Sequence, residues 1–227
     1  MVAQAKRHTL HLDAGTRAKL LDAAGVVFAE SGYQGATVRE ICARAGVNIA
    51  LVNYYFGDKQ ELYAEVLRES IGPLRNEIKA LESGLPPEAA ARDLIRATLQ
   101  RMFRADRPGW HYQLMLHEIS QPTPALTNVI NETMRPMYDR FRGLIGDILA
   151  LPADDDKVRL CTHSIIAQFV HYSHARYANS LLWPELEMTP ARVEQISNHI
   201  ADFSLAYLRQ EAPAKPILAG HTARKKK

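Results

Sequence analysis

Several side chains in the first third of the chain have chemistry that suits contact with a nucleic acid. Thr37 and Lys59 each stand at the expected start of a helix, where backbone amides and the helix dipole favour a phosphate group. Asn53 carries an amide that can pair with N6 and N7 of adenine, a contact that discriminates bases by about 1–3 kcal/mol. The hydroxyls of Tyr54 and Tyr55 can donate to phosphate oxygens without discriminating bases. These residue types together predict a surface that binds double-stranded DNA.

The histidines raise the alternative of a metal site. His171 and His174 are three residues apart and can share one helix face, with His163 on the same expected helix. His117-Glu118 lacks the second histidine of the H-E-x-x-H motif, and no thiolate or carboxylate completes a ligand set. No nucleophile–base pair or phosphate loop is recognisable either. We therefore expect no metal, no cofactor and no enzyme activity.

Capping signals place the DNA-binding candidates on a helix-turn-helix. Thr37 followed by Glu40 forms a capping box that starts one helix, and Gly46 ends it. Asn48 can cap a second helix that extends to about Phe56. The second helix of such a unit is the one presented to the DNA major groove. We therefore expect this recognition helix to carry the base contacts.

The composition is that of an ordinary globular protein rather than a strongly basic coat for nucleic acid. Of 227 residues, 47% are hydrophobic and 23% charged, and the formal net charge is +3. Cys42 and Cys161 lie far apart in apolar helical patterns, which predicts buried thiols rather than a disulfide. No apolar run reaches transmembrane length and no signal peptide is recognisable, so we expect a cytoplasmic protein without a membrane partner.

The apolar periodicity is helical throughout, which predicts an all-α fold. Its expected parts are a flexible basic arm (1–15), a helix-turn-helix domain (16–62), a second helical domain (63–211) and a disordered basic tail (212–227). Pro73 is expected to act as a hinge in a helix that runs from about residue 58 towards residue 83. The first helix is expected from Thr16 to Gly32, and further helices are expected to start at Pro87, Trp110 and Pro124, the last of these with a kink at Pro136. Two helices follow: one from the acidic run at 154–156 to about Trp183, and a last one capped by Thr189.

Residues 16–63 resemble the TetR/AcrR family of bacterial transcriptional regulators. The resemblance rests on Phe28, Gly32, Thr37, Ile41, Ala45, Gly46, Val47, Tyr55, Phe56, Lys59 and Leu62. The chain departs from the family pattern at Cys42, usually alanine, and at Asn53, often tyrosine. Residues 118–182 are similar to the C-terminal domain of the CerR/CecR-like subgroup.

The resemblance implies which positions touch DNA. The expected contacts are Arg17, Thr37, Asn48, Ile49, Ala50, Leu51, Asn53, Tyr54, Tyr55 and Lys59. Ile49 and Ala50 offer apolar surface for thymine methyl groups, and the recognition helix has no Arg or Lys, so we expect a preference for A·T pairs. Leu51 and Tyr55 have core packing as an equal alternative. Lys6 or Arg7 of the arm is a further candidate for a minor-groove contact, against a merely solvated arm.

The resemblance also implies a homodimer formed by the last two helices, a palindromic operator and a ligand cavity in the second domain. The residues expected to line that cavity are Met102, Phe103, Trp110, Met115, Met134, Tyr138, Phe141, Phe169 and Tyr172, each with plain core as its alternative. His111 and Tyr112 are further candidates for the lining. The expected function is a homodimeric repressor released by a small hydrophobic or aromatic effector. The alternative is an activator or an architectural protein without an effector, which a filled second domain would favour.

Overall fold

The described part of the chain contains helices and no strands, which confirms the expected all-α class. The structure is a computed structural model that describes residues 2–72, 74, 78, 82, 84–106 and 108–213, with backbone alone for residues 2–14. No helix within these ranges is both long enough and apolar enough to cross a bilayer. In chain order the helices are α1 (Val2–Gly35), α2 (Val38–Ala45), α3 (Ala50–Phe56), α4 (Lys59–Ile71), α5 (Pro87–Met102), α6 (Trp110–Ser120), α7 (Pro124–Val129), a π-helical segment (Ile130–Met134), α8 (Arg135–Leu149), α9 (Asp156–His174), α10 (Arg176–Leu182) and α11 (Pro190–Glu211).

Helix starts that depend on local capping lie where the sequence predicts them. Thr189 Oγ1 accepts a hydrogen bond from the Arg192 N–H at 3.2 Å, and Pro190 is the first residue of α11. Asp155 caps α9 in the same way, since its carboxylate accepts from the Lys157 N–H at 2.8 Å. A side chain that replaces a missing helical acceptor needs no distant partner, so such boundaries can be predicted from sequence.

The first and fourth helices differ from their predicted lengths. α1 begins at Val2, well before its predicted start, and Gly32 (φ 67, ψ 175) breaks the regular helix before a last turn. α4 ends at Ile71, where Gly72 takes φ 75, a value that favours glycine. Pro73, the predicted hinge, lies outside the described residues, as does the predicted tail from residue 214 onward.

Two long predicted helices are interrupted. Before α8, the π-helical segment Ile130–Met134 closes with an N–H of Arg135 that donates to the carbonyl of Ile130. Pro136 lacks the N–H that would serve the carbonyl four residues earlier, so the irregularity precedes the proline. Ala175 (φ −96, ψ 30) separates α9 from α10, so the prediction of one continuous helix there is wrong.

Two apolar cores organise the molecule, and the first one crosses the predicted domain boundary at residue 62. Helices α1 to α4 share their buried side chains with Trp110 and Leu114 of α6 and with Ala125 and Val129 of α7. The second core is formed by α5, α8, α9 and α11. Helices α1 to α4 form a small head that offers little apolar surface of its own, and the head completes its core with helices from later in the chain.

Trp110 fixes α6 against α1. Its indole Nε1 donates to Asp22 Oδ1 at 3.2 Å, and the ring lies so close to Gly25 that a Cβ there would overlap it. Seven residues, or about two turns, further along each helix, His117 Nε2 lies 2.9 Å from the carbonyl oxygen of Ala29. The head is therefore attached to the rest of the fold by packing as well as by the chain itself.

Candidate DNA interface and effector cavity

The turn between α2 and α3 is held by side chains that the sequence marks as caps. Thr37 Oγ1 accepts from the Glu40 N–H at 3.1 Å, and Gly46 ends α2 in the left-handed conformation (φ 67, ψ 35). Asn48 Oδ1 accepts from the Ala50 N–H at 2.8 Å at the start of α3. Thr37 and Asn48 thus set the angle at which α3 leaves the turn, and their side-chain oxygens are engaged within the head.

The outer face of α3 is open to solvent. Tyr54 is 72% exposed and Ile49, Ala50 and Asn53 are also exposed, while Val52 on the opposite face is completely buried. The exposed side chains combine apolar surface, one amide and one hydroxyl, which are the groups that read thymine methyls, adenine edges and phosphates. The structure thus brings four of the predicted contact residues together on one surface.

Leu51 and Tyr55 belong partly to the interior. Both are half-buried against the first core, and the ring of Tyr55 packs edge-on against that of Tyr54, with centroids 4.9 Å apart. Because Tyr55 supports Tyr54 from behind, its main structural effect is to orient the exposed ring. The alternative of core packing therefore describes the location of both residues better than free exposure does.

Lys59 stands at the first position of α4 but is constrained by its surroundings. Its Nζ lies 4.6 Å from the centre of the Tyr33 ring, and partial burial lowers the pKa of the ammonium group. The Asp58 carboxylate accepts from the Glu61 N–H at 2.9 Å, so the same helix end already has an anionic cap. Any phosphate contact by Lys59 has to be made from this position above the ring.

Arg17 braces the head internally. Its Nη2 lies 2.6 Å from Glu65 Oε2 and its guanidinium lies 5.1 Å from the centre of the Phe56 ring. The side chain thereby ties α1 to α4 and to the end of α3, which differs from the free phosphate contact expected from sequence. Arg39, exposed on α2, was not among the predicted contacts. The sequence feature that could have indicated a DNA contact at Arg39 is its place two residues after the cap Thr37.

A cavity of about 340 Å³ opens between α4, α5, α6 and α9. Four of the residues expected to line a cavity do line this one: Met102, Phe103, Met115 and Met134. His111 and Tyr112, the two further candidates, also line it. The remaining lining residues were not predicted, and they are Ser70, Ile71, Arg101, Arg104, Pro108, Gly109, Val170, Ser173, His174, Arg176 and Met188. Several of these are polar, and the spacing of apolar residues does not indicate which polar residues line a cavity.

Five of the residues expected to line the cavity lie elsewhere. Phe141 and Phe169 are buried in the second core, Trp110 is buried in the first, and Tyr172 packs partly against the second. Tyr138 points its hydroxyl towards His163, with 3.3 Å between the oxygen and Nε2. Large aromatic side chains satisfy a core as well as a cavity, and sequence periodicity alone does not distinguish the two faces.

Polar groups are fixed along the wall of the cavity. The guanidinium of Arg176 lies 4.7 Å from the centre of the Tyr112 ring, and the Tyr112 hydroxyl donates to the His174 carbonyl at 3.0 Å. On the opposite side, Arg101 Nη1 donates to the carbonyl of Ile71, the last residue of α4. The cavity wall thus contacts the end of α4, the last helix of the DNA-binding head.

Histidines and cysteines of the described residues form no cluster of three or more groups suited to a metal ion. His174 Nδ1 lies 2.6 Å from Ser173 Oγ and takes part in local hydrogen bonding instead. Cys42 and Cys161 are free and buried, as expected, and burial raises the pKa of both thiols.

A buried carboxylate joins the head to α6 and α7. Glu118 Oε1 accepts from the Tyr63 hydroxyl and, at 2.9 Å, from Thr123 Oγ1, while Oε2 accepts from the Thr123 N–H at 3.0 Å. Each of these partners is a donor, which suits an acceptor-only carboxylate. Burial and then the hydrogen bond to Glu118 raise the pKa of Tyr63 above its usual range, so its hydroxyl keeps the proton it donates.

An exposed recognition helix on a capped helix-turn-helix, joined to a second helical bundle with a cavity, is the architecture of a DNA-binding transcriptional regulator. The family model described as "Bacterial regulatory proteins, tetR family" matches residues 20–66. The model of the C-terminal domain of the HTH-type transcriptional dual regulator CecR matches residues 87–208. The chain therefore belongs to the TetR family of regulators, with a C-terminal domain of the CecR type.

One relative supports this assignment, and two solved structures share the fold. The chain is 32% identical over 171 residues to the HTH-type transcriptional dual regulator CecR of Shigella flexneri, covering 70% of this chain and 76% of the relative. Among solved structures, a putative transcriptional regulator from Pseudomonas aeruginosa PAO1 has a TM-score of 0.62 at 21% identity, covering 86% of this chain and 92% of that one. FadR from Bacillus subtilis, in complex with stearoyl-CoA, also has a TM-score of 0.62 at 18% identity, covering 83% and 97%.

Proposed function

We propose that the protein is a homodimeric repressor that binds a palindromic operator and is released from it by a small hydrophobic or aromatic effector. The observation that carries the proposal is the exposed outer face of α3 on a head whose core continues into α6, a helix that lines the cavity. An occupant of that cavity touches the end of α4, which belongs to the head, and it also touches α6, which packs against the head.

Operator recognition is proposed to depend on apolar and amide contacts. The exposed residues of α3 include Ala50 and Asn53 and no basic side chain, and Ile49 precedes them at the helix start. Methyl contacts with thymine and an amide pair with adenine favour A·T base pairs at the centre of each half-site. Affinity then depends on the groups around α3, among which Arg39 is exposed.

The proposed dimer uses α9 and α11. Leu160 is 69% exposed and Phe203 66% exposed, and Val170 and Tyr207 are exposed further along the same two helices. Exposed apolar side chains concentrated on neighbouring helices are typical of a protein interface. Two copies related by a two-fold axis present two recognition helices, which is why the operator is expected to be palindromic.

An effector is proposed because the cavity is present and lies at the lower end of the usual range for ligand sites, about 300–1,000 Å³. The solved FadR structure of the same fold holds stearoyl-CoA, so this fold can accommodate a molecule with an apolar chain. A ligand changes operator affinity only if it binds the DNA-competent and DNA-incompetent forms differently. Coupling of about 1–3 kcal/mol gives a 5–150-fold change.

The test begins with selection of duplex sites by the purified chain at low salt, followed by fluorescence anisotropy on the selected duplex. We expect a palindrome rich in A·T pairs and a dimer in sedimentation measurements. Asn53→Ala should relax the base preference at one position of each half-site, whereas Asn128→Ala, an exposed asparagine outside the head, should leave the motif unchanged. An unchanged motif with Asn53→Ala removes its proposed role, and absence of any duplex binding removes DNA recognition altogether.

The alternative function is activation of transcription, or an architectural role, without an effector. Activation is kept because the relative from Shigella flexneri is described as a dual regulator. A reporter gene placed behind the selected operator distinguishes the two, because a repressor lowers expression and an activator raises it.

A further inference from the structure

The cavity wall carries positive charge with no negative side chain among its described lining residues. Three arginines line it, Arg101, Arg104 and Arg176, and neither Asp nor Glu does. Arg104 is already neutralised, because its Nε and Nη2 donate to Asp106 at 3.0 and 2.6 Å. Arg101 donates from Nη1 to the Ile71 carbonyl and takes part in a further interaction, so it too is engaged. Arg176 is the arginine of the cavity wall whose charge is available to a ligand.

Three contacts position the guanidinium of Arg176 at the cavity. Its guanidinium lies 4.7 Å from the centre of the Tyr112 ring and 5.3 Å from that of Phe103, and its Nε donates to the Ser173 carbonyl at 3.2 Å. Arg176 is exposed to solvent, and within the described residues it forms no ion pair. With Nε engaged, the edge formed by Nη1 and Nη2 retains four N–H donors, which matches the two oxygens of a carboxylate.

The rest of the cavity suits an apolar group. Four of the six methionines in the sequence line it, Met102, Met115, Met134 and Met188. Methionine side chains are unbranched and adapt to occupants of different shape. A cavity of about 340 Å³ has room for a small molecule rather than a long acyl chain with a nucleotide.

We propose that the effector is a small amphipathic monocarboxylic acid whose carboxylate binds Arg176 while its apolar part lies among the methionines. This inference rests on the proposed effector-responsive function and specifies the chemistry of the same site. One guanidinium without an acidic partner among the described residues compensates one negative charge, so a monoanion fits better than a phosphorylated or polyanionic compound. Aliphatic and aromatic acids share this chemistry.

The test compares acids with neutral amides of the same shape. Isothermal titration of the full chain without DNA, at neutral pH, uses 4-phenylbutyrate against 4-phenylbutanamide and octanoate against octanamide. A hydrogen bond to a charged group favours at least one acid over its amide by about 10–100-fold. The pair with the larger preference identifies an aromatic or an aliphatic tail. Equal affinity of acid and amide in both pairs, or no binding of any probe at millimolar concentration, overturns the proposal.

Variants assign the preference to one side chain. Arg176→Met should abolish the difference between acid and amide while leaving amide affinity near that of the wild type, which also shows that the cavity is folded. Arg192→Met is the matched control, because Arg192 likewise packs on a ring, 5.5 Å from that of Trp183, but does not line the cavity. Retention of the acid preference in Arg176→Met, or its equal loss in Arg192→Met, contradicts the proposal.

Failure of the effector hypothesis would look different. If the acid binds with the expected preference but does not change operator affinity, the release mechanism is wrong and the assignment of Arg176 stands. If a neutral compound releases DNA and acids are not preferred, release stands and the carboxylate assignment is wrong.

Discussion

Substitution of Tyr63 by phenylalanine tests the buried link between the head and the rest of the fold. Tyr63 and Glu118 are each 1% exposed, and the hydroxyl donates to the Glu118 carboxylate. Phenylalanine keeps the ring and removes one hydrogen bond to a charged group, which is worth about 1.5–3 kcal/mol. At about 2–4 °C per kcal/mol for a chain of this size, the melting temperature should fall by about 3–12 °C.

The assay is urea and thermal unfolding at one fixed protein concentration, since the proposed dimerisation would make stability depend on concentration. Tyr54→Phe is the control because its side chain is 72% exposed, and it should stay within about 0.5 kcal/mol of the wild type. A double-mutant cycle with Glu118→Gln should give a coupling energy well above zero. If Tyr63→Phe matches the Tyr54 control, or if the cycle shows no coupling, the hydrogen bond does not stabilise the link.

Three further predictions concern glycines and pH. Gly46→Ala places a Cβ at φ 67 and should cost about 1–2 kcal/mol in urea unfolding, with weaker operator binding because the turn sets α3; unchanged values for both would contradict this. Gly25→Ala, where the new Cβ overlaps the Trp110 ring, should cost about 1–3 kcal/mol. Gly143→Ala, where a Cβ meets nothing within 4 Å, should cost nothing, and equal effects of the two would refute the role of close packing. Burial and the hydrogen bond to Glu118 raise the pKa of Tyr63, so its contribution is complete below pH about 10 and is lost as the pH rises further. Stability should therefore fall less steeply above that pH in Tyr63→Phe, and parallel curves would contradict the assignment.

Features that depend on neighbouring residues were predictable from the sequence. The caps Thr37 and Asn48 and the exit at Gly46 are decided within a few residues, and the structure places them as predicted. The end of α4 at Gly72 could also have been predicted, because glycine favours a helix exit, but Pro73 beside it was taken as the hinge instead. The family assignment follows from the same local residues.

Features that depend on packing between distant segments were not predictable. Trp110 and Phe169 are as suitable for a cavity as Met115 is, and only the arrangement of the helices places them in the cores. Arg17 offers a charge at the position of a phosphate contact, but Glu65, distant in sequence, engages it. Arg176 was not predicted because it is not part of an apolar pattern, although the rings of Tyr112 and Phe103 hold it at the cavity.

The core shared by α1 to α4 with α6 and α7 limits how this regulator can be rearranged. The first 72 residues look like a portable module, yet cutting them out would leave the surface around Gly25 without the ring of Trp110 and would separate Tyr63 from Glu118. A hybrid that joins this head to the body of another regulator would need to carry those partners with it. The unit to transfer in engineering is therefore the head together with α6 and α7.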